Sequence, residues 1–226
     1  MDSIFWVPLQ IITSKTRKRS IWFRINQAWI IVRIPHSHKS NLVYPLLEKR
    51  RNWILTSWEK VKKKEKKKER SYEEGSFFPY LGGNLSLHII ENSLKNFCSS
   101  DGEKLIVWVK WKEKEKIQFL IKNWYKKQAL NNLPERVKEL AKKYSFDQLW
   151  NIFIKSYKAK YGMCKWKDIY LDYKIIELQE NIIDHIILHE LTHLTHKHHQ
   201  VSFRKKLASL DPNWKEHRDF LRGKMD

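Results

Sequence analysis

Two histidines and a glutamate, in the order His189-Glu190-Leu191-Thr192-His193, are by type and spacing the residues best placed to do chemistry, and His199 follows close behind. On a helix of 3.6 residues per turn, positions 189 and 193 stand one turn apart on the same face. Two neutral imidazoles there can grip one metal ion, with the glutamate beside them as a base rather than a ligand. Zinc suits nitrogen ligands, and a catalytic zinc takes three protein ligands and keeps a fourth position open for water. The third ligand must then come from beyond the helix. His196 continues the same helical face, but three ligands on one straight helix fan out too far for a compact tetrahedron. His199 comes after room for a turn and is the preferred third ligand, with His198 as the fallback. The expected site is one zinc ion on His189, His193 and His199, with Glu190 as the catalytic carboxylate.

The element that must carry this motif is legible around it. Ile182, Ile183, Ile186, Ile187, Leu191 and Leu194 form an apolar stripe at helical spacing. The competing reading, a histidine-rich solvated helix, leaves that stripe unexplained, and a buried helix needs partners for the polar groups on its flank. Further helices are expected over 202–210 and from Pro212 onward. Upstream, 152–156 and 169–173 alternate as short strands, the second following a turn centred on 165–167. The segment 117–131 is helical in pattern, and Asn132-Leu133-Pro134-Glu135 reads as the start of a separate helix. Gly162 and Cys164 read as a packed turn beneath the site. The first half is richer in strands: a hairpin over 20–34, strand-turn-strand over 77–89 and a strand at 105–109. Residues 4–12, interrupted by Pro8, make at best an edge strand. Apolar residues over 46–58 predict one helix running into a lysine-rich stretch. The fold class expected is α+β, a β-rich N-terminal lobe over 1–112 with a basic helix and linker at 46–76, then a helical catalytic lobe with a small sheet over 113–226.

Composition bounds the partners. The chain has 226 residues, 42% of them hydrophobic, and 11 tryptophans, enough to bury a core. The net charge of +20 suits an anionic partner, such as a nucleotide or nucleic acid bound through a basic surface. Yet lysine far outnumbers arginine, and Ile and Asn are abundant, which matches the coding bias of an AT-rich genome. Much of the charge is also local, in the run over 60–70. Cys98 and Cys164 are far apart with no CxxC spacing, which fits a reducing compartment. No apolar run reaches the length of a membrane span. The N-terminus, with an acid before its apolar run and bases after it, reverses the order of a secretory signal. A cytoplasmic protein without a membrane partner is expected.

The motifs resemble those of the YgjP-like metallopeptidase-domain family, a zincin-like group. The match runs through Lys160-Tyr161-Gly162-Met163-Cys164, Leu171-Asp172, the HELTH motif with His199 and Phe203, and Asp211-Pro212-Asn213-Trp214-Lys215-Glu216. It continues in the N-terminal half through Arg19-Ser20-Ile21, Arg33-Ile34-Pro35, Trp53-Ile54, Tyr80-Leu81-Gly82 and Trp124-Tyr125. Three positions depart from the family pattern: Tyr161 where it has Trp, Met163 where it has Ser, and Asp172 where it has Asn. None is an expected ligand.

Metal-dependent hydrolysis follows from the ligand set. The metal lowers the pKa of bound water towards about 7, and Glu190 accepts its proton and passes it to the leaving group. Tyr161, His198 and His217 are candidate donors to the oxyanion, and Asp184 is a candidate to orient a ligating imidazole. A structural role is expected for Cys164, since no basic partner activates it. The resemblance implies a peptidase acting on a peptide or protein. It carries two alternatives: a UTP pyrophosphatase, the activity ascribed to bacterial relatives, and a DNA-associated SprT-like or Wss1-like protease, which shares HELxH followed by a histidine and Phe. A metal-binding module without turnover is the remaining class.

Overall fold

The computed structural model describes residues 3–16, 20–26, 28–38, 40–63 and 70–225, and the chain divides into two compact units, Met1–Arg70 and Ser71–Asp226. In the first, β1 (Ser3–Ile4), β2 (Val7–Ser14), β3 (Trp22–Ile25) and β4 (Ile30–Pro35) form a sheet of order β1-β2-β4-β3. Here β2 is an interior strand, not the edge that Pro8 predicts. Pro8 lies opposite only the two-residue β1, and the parallel ladder to β4 starts at Leu9, so the missing N–H interrupts nothing there. The β3–β4 hairpin forms as expected, its turn held by the Asn26 side-chain oxygen, which accepts from the N–H of Ala28 (2.9 Å) and Trp29 (2.7 Å). The single helix expected over 46–58 is two, α1 (Val43–Lys49) and α2 (Arg51–Lys63), broken at Arg50. Val7, Ile30, Val32, Val43, Leu47 and Ile54 are the heart of this unit's core. Most of the lysine-rich stretch, residues 64–69, lies outside the described residues.

Among its described residues the second unit holds two sheets and four α-helices. β5 (Phe77–Tyr80), β6 (Gly83–Ile90), β7 (Phe97–Ser100) and β8 (Lys104–Trp108) pair in the order β5-β6-β8-β7. The β5–β6 turn needs Gly82: its φ is +85°, and a Cβ would stand 3.3 Å from the Gln179 backbone. β7 escapes the alternation pattern, its place marked instead by Phe97 stacked on Trp108 at 4.2 Å. These strands share one core with the C-terminal helices, and the division between the two units falls at Arg70/Ser71.

The long helix α3 (Lys114–Lys143) crosses this core with Ile117, Ile121, Trp124, Leu133, Val137 and Leu140 buried along one stripe. It is one helix, not the two that Pro134 predicts. The carbonyl that loses its partner to Pro134 belongs to Leu130, which is exposed to water, and Asn132 adds a side-chain bond to the Gln128 carbonyl at 2.7 Å. Tyr125 donates to the Pro79 carbonyl (2.7 Å), tying α3 to β5.

The second sheet is β9 (Ile152–Lys155), β10 (Gly162–Lys165) and β11 (Asp168–Asp172) in the order β10-β11-β9, with β9 parallel to β11 and β10 antiparallel at the edge. Gly162 and Cys164, expected in a packed turn, therefore lie in the edge strand β10. A 3-10 segment, Tyr173–Glu177, leads into α4 (Glu180–Thr192), followed by α5 (Val201–Leu210) and α6 (Trp214–Met225). Helices and three small mixed sheets, each with one parallel pair, make an α+β fold. No described helix is long and apolar enough to cross a membrane.

Candidate metal centre

α4 is buried on nearly every side. Ile182, Ile183, Ile186, Ile187, Leu188 and Leu191 are at most 4% exposed, so the helix is fixed in rotation by its own apolar residues. What remains at its C-terminal end is His189 and Glu190 in the last turn and His193 as the cap. The chain then tightens into 3-10-type turns, with Leu194 N–H bonded to Leu191 O (3.0 Å) and Thr195 N–H to Thr192 O (3.2 Å). It swings back to present His199.

His189, His193 and His199 are brought together. The Nε2 of His199 lies 3.0 Å from that of His189 and 3.1 Å from that of His193. The Nδ1–H of His193 donates to the His196 carbonyl at 3.0 Å, which leaves its Nε2 with a bare lone pair. His199 Nε2 can donate one hydrogen or offer one lone pair, so it can serve only one of its two neighbours and leaves the other contact without a hydrogen bond. One cation between the three satisfies them all, so the donor set fits a metal with nitrogen preference. Burial, and then the neighbouring histidines, hold His189 down at about 3, the neutral form that ligation needs. Phe203 underlies all three rings at centroid distances of 5.0, 4.6 and 4.8 Å. His196 gives its carbonyl to His193 and its ring to the Thr195 hydroxyl (2.8 Å), and His198 is exposed outside the triad.

Glu190 is 7% exposed and lies against the edge strand β10. Burial raises its pKa to about 7, against the lowering effects of the Cys164 backbone N–H and the charge of Lys160. Gly162 makes this approach possible. A Cβ there would stand 2.8 Å from Glu190 Oε1 and 2.9 Å from its Cγ, closer than real contacts allow. Gly162 is thus a positioning residue for the carboxylate, a role that sequence reasoning missed. Burial, and then Glu190, pushes the Cys164 thiol up to about 11, which disfavours the thiolate form that a nucleophile needs. A cleft of about 620 Å³ runs between β10 and the triad, lined by Met163, Trp166, Lys197, His189, Glu190 and their neighbours.

A second histidine cluster lies beside the first. Asp211 Oδ2 accepts from His185 Nδ1 at 2.6 Å and from His217 Nδ1 at 2.9 Å, and Oδ1 accepts from the Asn213 N–H at 3.1 Å. His217 Nε2 faces the Asn181 amide at 3.2 Å. Both ring nitrogens of His217 are therefore engaged, which removes it as an oxyanion donor. Tyr161 shares a cavity with His189 and Glu190, whereas His198 is not part of the cleft lining. Asp184 does not orient an imidazole. It holds Arg136 through two bonds, Nε to Oδ1 (2.7 Å) and Nη2 to Oδ2 (2.6 Å), on the α3 side of α4. Asp172, 2% exposed, uses both carboxylate oxygens on backbone donors, Tyr157 N–H (2.6 Å) and Lys174 N–H (2.8 Å). An Asn has one such oxygen, so the departure at this position has a structural reason.

Comparison with known proteins places the chain. The family described as YgjP-like, metallopeptidase domain, matches residues 19–224. Among solved structures, the zymogen of the metallopeptidase jannalysin from Methanocaldococcus jannaschii is similar at 24% identity, covering 42% of this chain and 98% of that one, with a TM-score of 0.38. No curated protein sequence matches the chain.

Proposed function

The chain belongs to the YgjP-like metallopeptidase-domain family, a metal-dependent hydrolase by that membership, and on this premise we propose that it is a zinc peptidase whose chemistry is carried by residues 113–226. His189, His193 and His199 hold the ion. A zinc there supplies Lewis acidity, lowering the pKa of water towards about 7 and polarising the substrate carbonyl. Glu190 is the general base. Its carboxylate, at the wall formed by Gly162, takes a proton from the attacking water and delivers it to the leaving amine nitrogen. The buried wall of α4 and the Phe203 floor keep bulk water from the ring side of the triad. Tyr161 is the donor we assign to the oxyanion, as the candidate that shares a cavity with Glu190.

The observation that carries this reading is the meeting of three Nε2 atoms that protons cannot satisfy, with a buried carboxylate next to them. The test is cleavage of an unstructured protein by zinc-loaded chain, with UTP turnover measured in parallel. We expect peptide-bond cleavage, reduced about a thousand-fold in Glu190→Gln, with one zinc retained per chain. Release of pyrophosphate from UTP without proteolysis would replace the peptidase reading with nucleotide hydrolysis.

A further inference from the structure

Beyond residue 70 the chain carries four arginines, Arg136, Arg204, Arg218 and Arg222, among a large excess of lysine. Arg136 is engaged by Asp184 and Glu139. The other three gather at one place. Arg218 and Arg222 line a cavity of about 260 Å³ together with Lys160, His185, His189 and Glu190. With Arg204 they also line an adjoining space of about 360 Å³ that reaches His189 and His199, and no carboxylate is among its lining residues. Both spaces therefore open on the proposed metal site, and they share Gly162, His189 and Glu190 or His189 and His199 with the larger cleft.

The charges there are only partly neutralised: Glu190 is the one carboxylate lining the first space, against Lys160, Arg218 and Arg222. Asp219 accepts from Arg218 Nε (3.0 Å) and Nη2 (2.9 Å) and stands 3.8 Å from Arg222, but it lines neither space; the Arg218 and Arg222 side chains are themselves 38% and 69% exposed. Arg218 keeps further donors and is stacked on Trp214 at 5.0 Å, which holds its guanidinium plane. Arg204 makes no ion pair among the described residues. A coding bias that favours lysine explains a basic surface, but it does not explain three guanidinium groups converging here. Guanidinium differs from ammonium in offering a planar fork of donors that matches a carboxylate. Around the fork the walls are apolar, from Ile186, Leu221, Phe203 and Leu207.

We infer that this arginine-lined space is an anion subsite that receives a carboxylate of the peptide substrate, either its C-terminal carboxylate or an acidic side chain next to the cleaved bond. The inference rests on the peptidase reading above. The substrate then lies across His189 and Glu190, with its longer part in the 620 Å³ cleft and its acidic end against Arg218, Arg222 and Arg204.

The test compares four peptides of one core sequence, with a free or amidated C-terminus and with Glu or Gln beside the cleaved bond, on the zinc-loaded full chain. We expect a carboxylate to raise kcat/KM about ten-fold, chiefly through KM. The free terminus and the Glu side chain identify the source separately. Arg222→Gln and Arg218→Lys should shrink that preference, while Lys138→Gln, which removes one distant charge, leaves it. Equal cleavage of all four peptides, or a preference that survives Arg222→Gln, overturns the subsite. If wild-type chain cleaves none of them, the peptidase reading has failed, and the subsite is judged by binding instead. Fluorescence anisotropy of the same labelled peptides on zinc-loaded Glu190→Gln protein should still favour the carboxylates and lose that preference in the double variant with Arg222→Gln. Arginine-dependent binding of inorganic pyrophosphate without binding of the acidic peptides overturns the carboxylate assignment.

Discussion

Two histidine clusters stand side by side on α4 and differ in one respect. In His185–Asp211–His217 a carboxylate lies between two Nδ1 donors, and every bond runs from a proton to an oxygen. In His189–His193–His199 nitrogen faces nitrogen at 3.0 and 3.1 Å with no acid between them. Histidines in contact are therefore not one kind of feature. The first cluster is complete as built and ties α6 to α4. The second makes chemical sense once a cation is added, which is the physical content of our metal assignment.

The comparison breaks most sharply through the clusters themselves. His193→Ala should abolish zinc binding and reduce peptide cleavage below detection, whereas His217→Ala should keep one zinc per chain by metal analysis. A zinc-deficient His217→Ala, or a His193→Ala that still binds zinc one to one, would erase the distinction. Gly162→Ala comes next. The new Cβ must displace Glu190, so kcat should fall about a hundred-fold while zinc content stays unchanged. Asp211→Asn addresses the satisfied cluster. With one donor left unpaired in a buried place, it should cost about 2 kcal/mol, seen as a Tm roughly 4–8 °C lower, with zinc binding intact. The smallest effect is a pH dependence of the metal-free protein. Glu190 has its folded pKa raised from the ordinary 4.5 to about 7, so its contribution to stability is full below 4.5 and is lost as pH rises through 7. Metal-free Glu190→Gln should therefore match or fall below wild type in Tm at pH 4.5 and gain on it by pH 8. A gap that does not change with pH would show that Glu190 ionises normally.

What the sequence revealed and what it hid have physical causes. The HELTH motif and the apolar stripe of α4 are local, fixed by 3.6-residue periodicity, and His199 could be preferred over His196 from helix geometry alone. His185 and Asp211 are 26 residues apart and meet only because α5 returns the chain to α4, so no spacing rule brings them together. Pro134 predicted a helix start, but α3 runs through it where the residue one turn back, Leu130, is exposed. Gly162 read as a turn because its function is an absence, the missing Cβ against Glu190, which becomes visible once β10 has been laid beside α4. The arginines were submerged in the lysine count until the fold collected three of them.

The helix end at Thr192 has a consequence for how the chain breathes. His189 lies inside α4, His193 caps it and His199 lies beyond the 3-10 turns, so the three groups straddle a helix terminus rather than a rigid span. An ion gripped by all three acts as a clasp on that terminus. Its release would free residues 193–200 to open locally while Ile186, Ile187 and Leu191 keep the rest of α4 in the core. Amide hydrogens of that segment should exchange quickly without metal and slowly with it, so that metal content is recorded in the backbone dynamics of about two turns of chain.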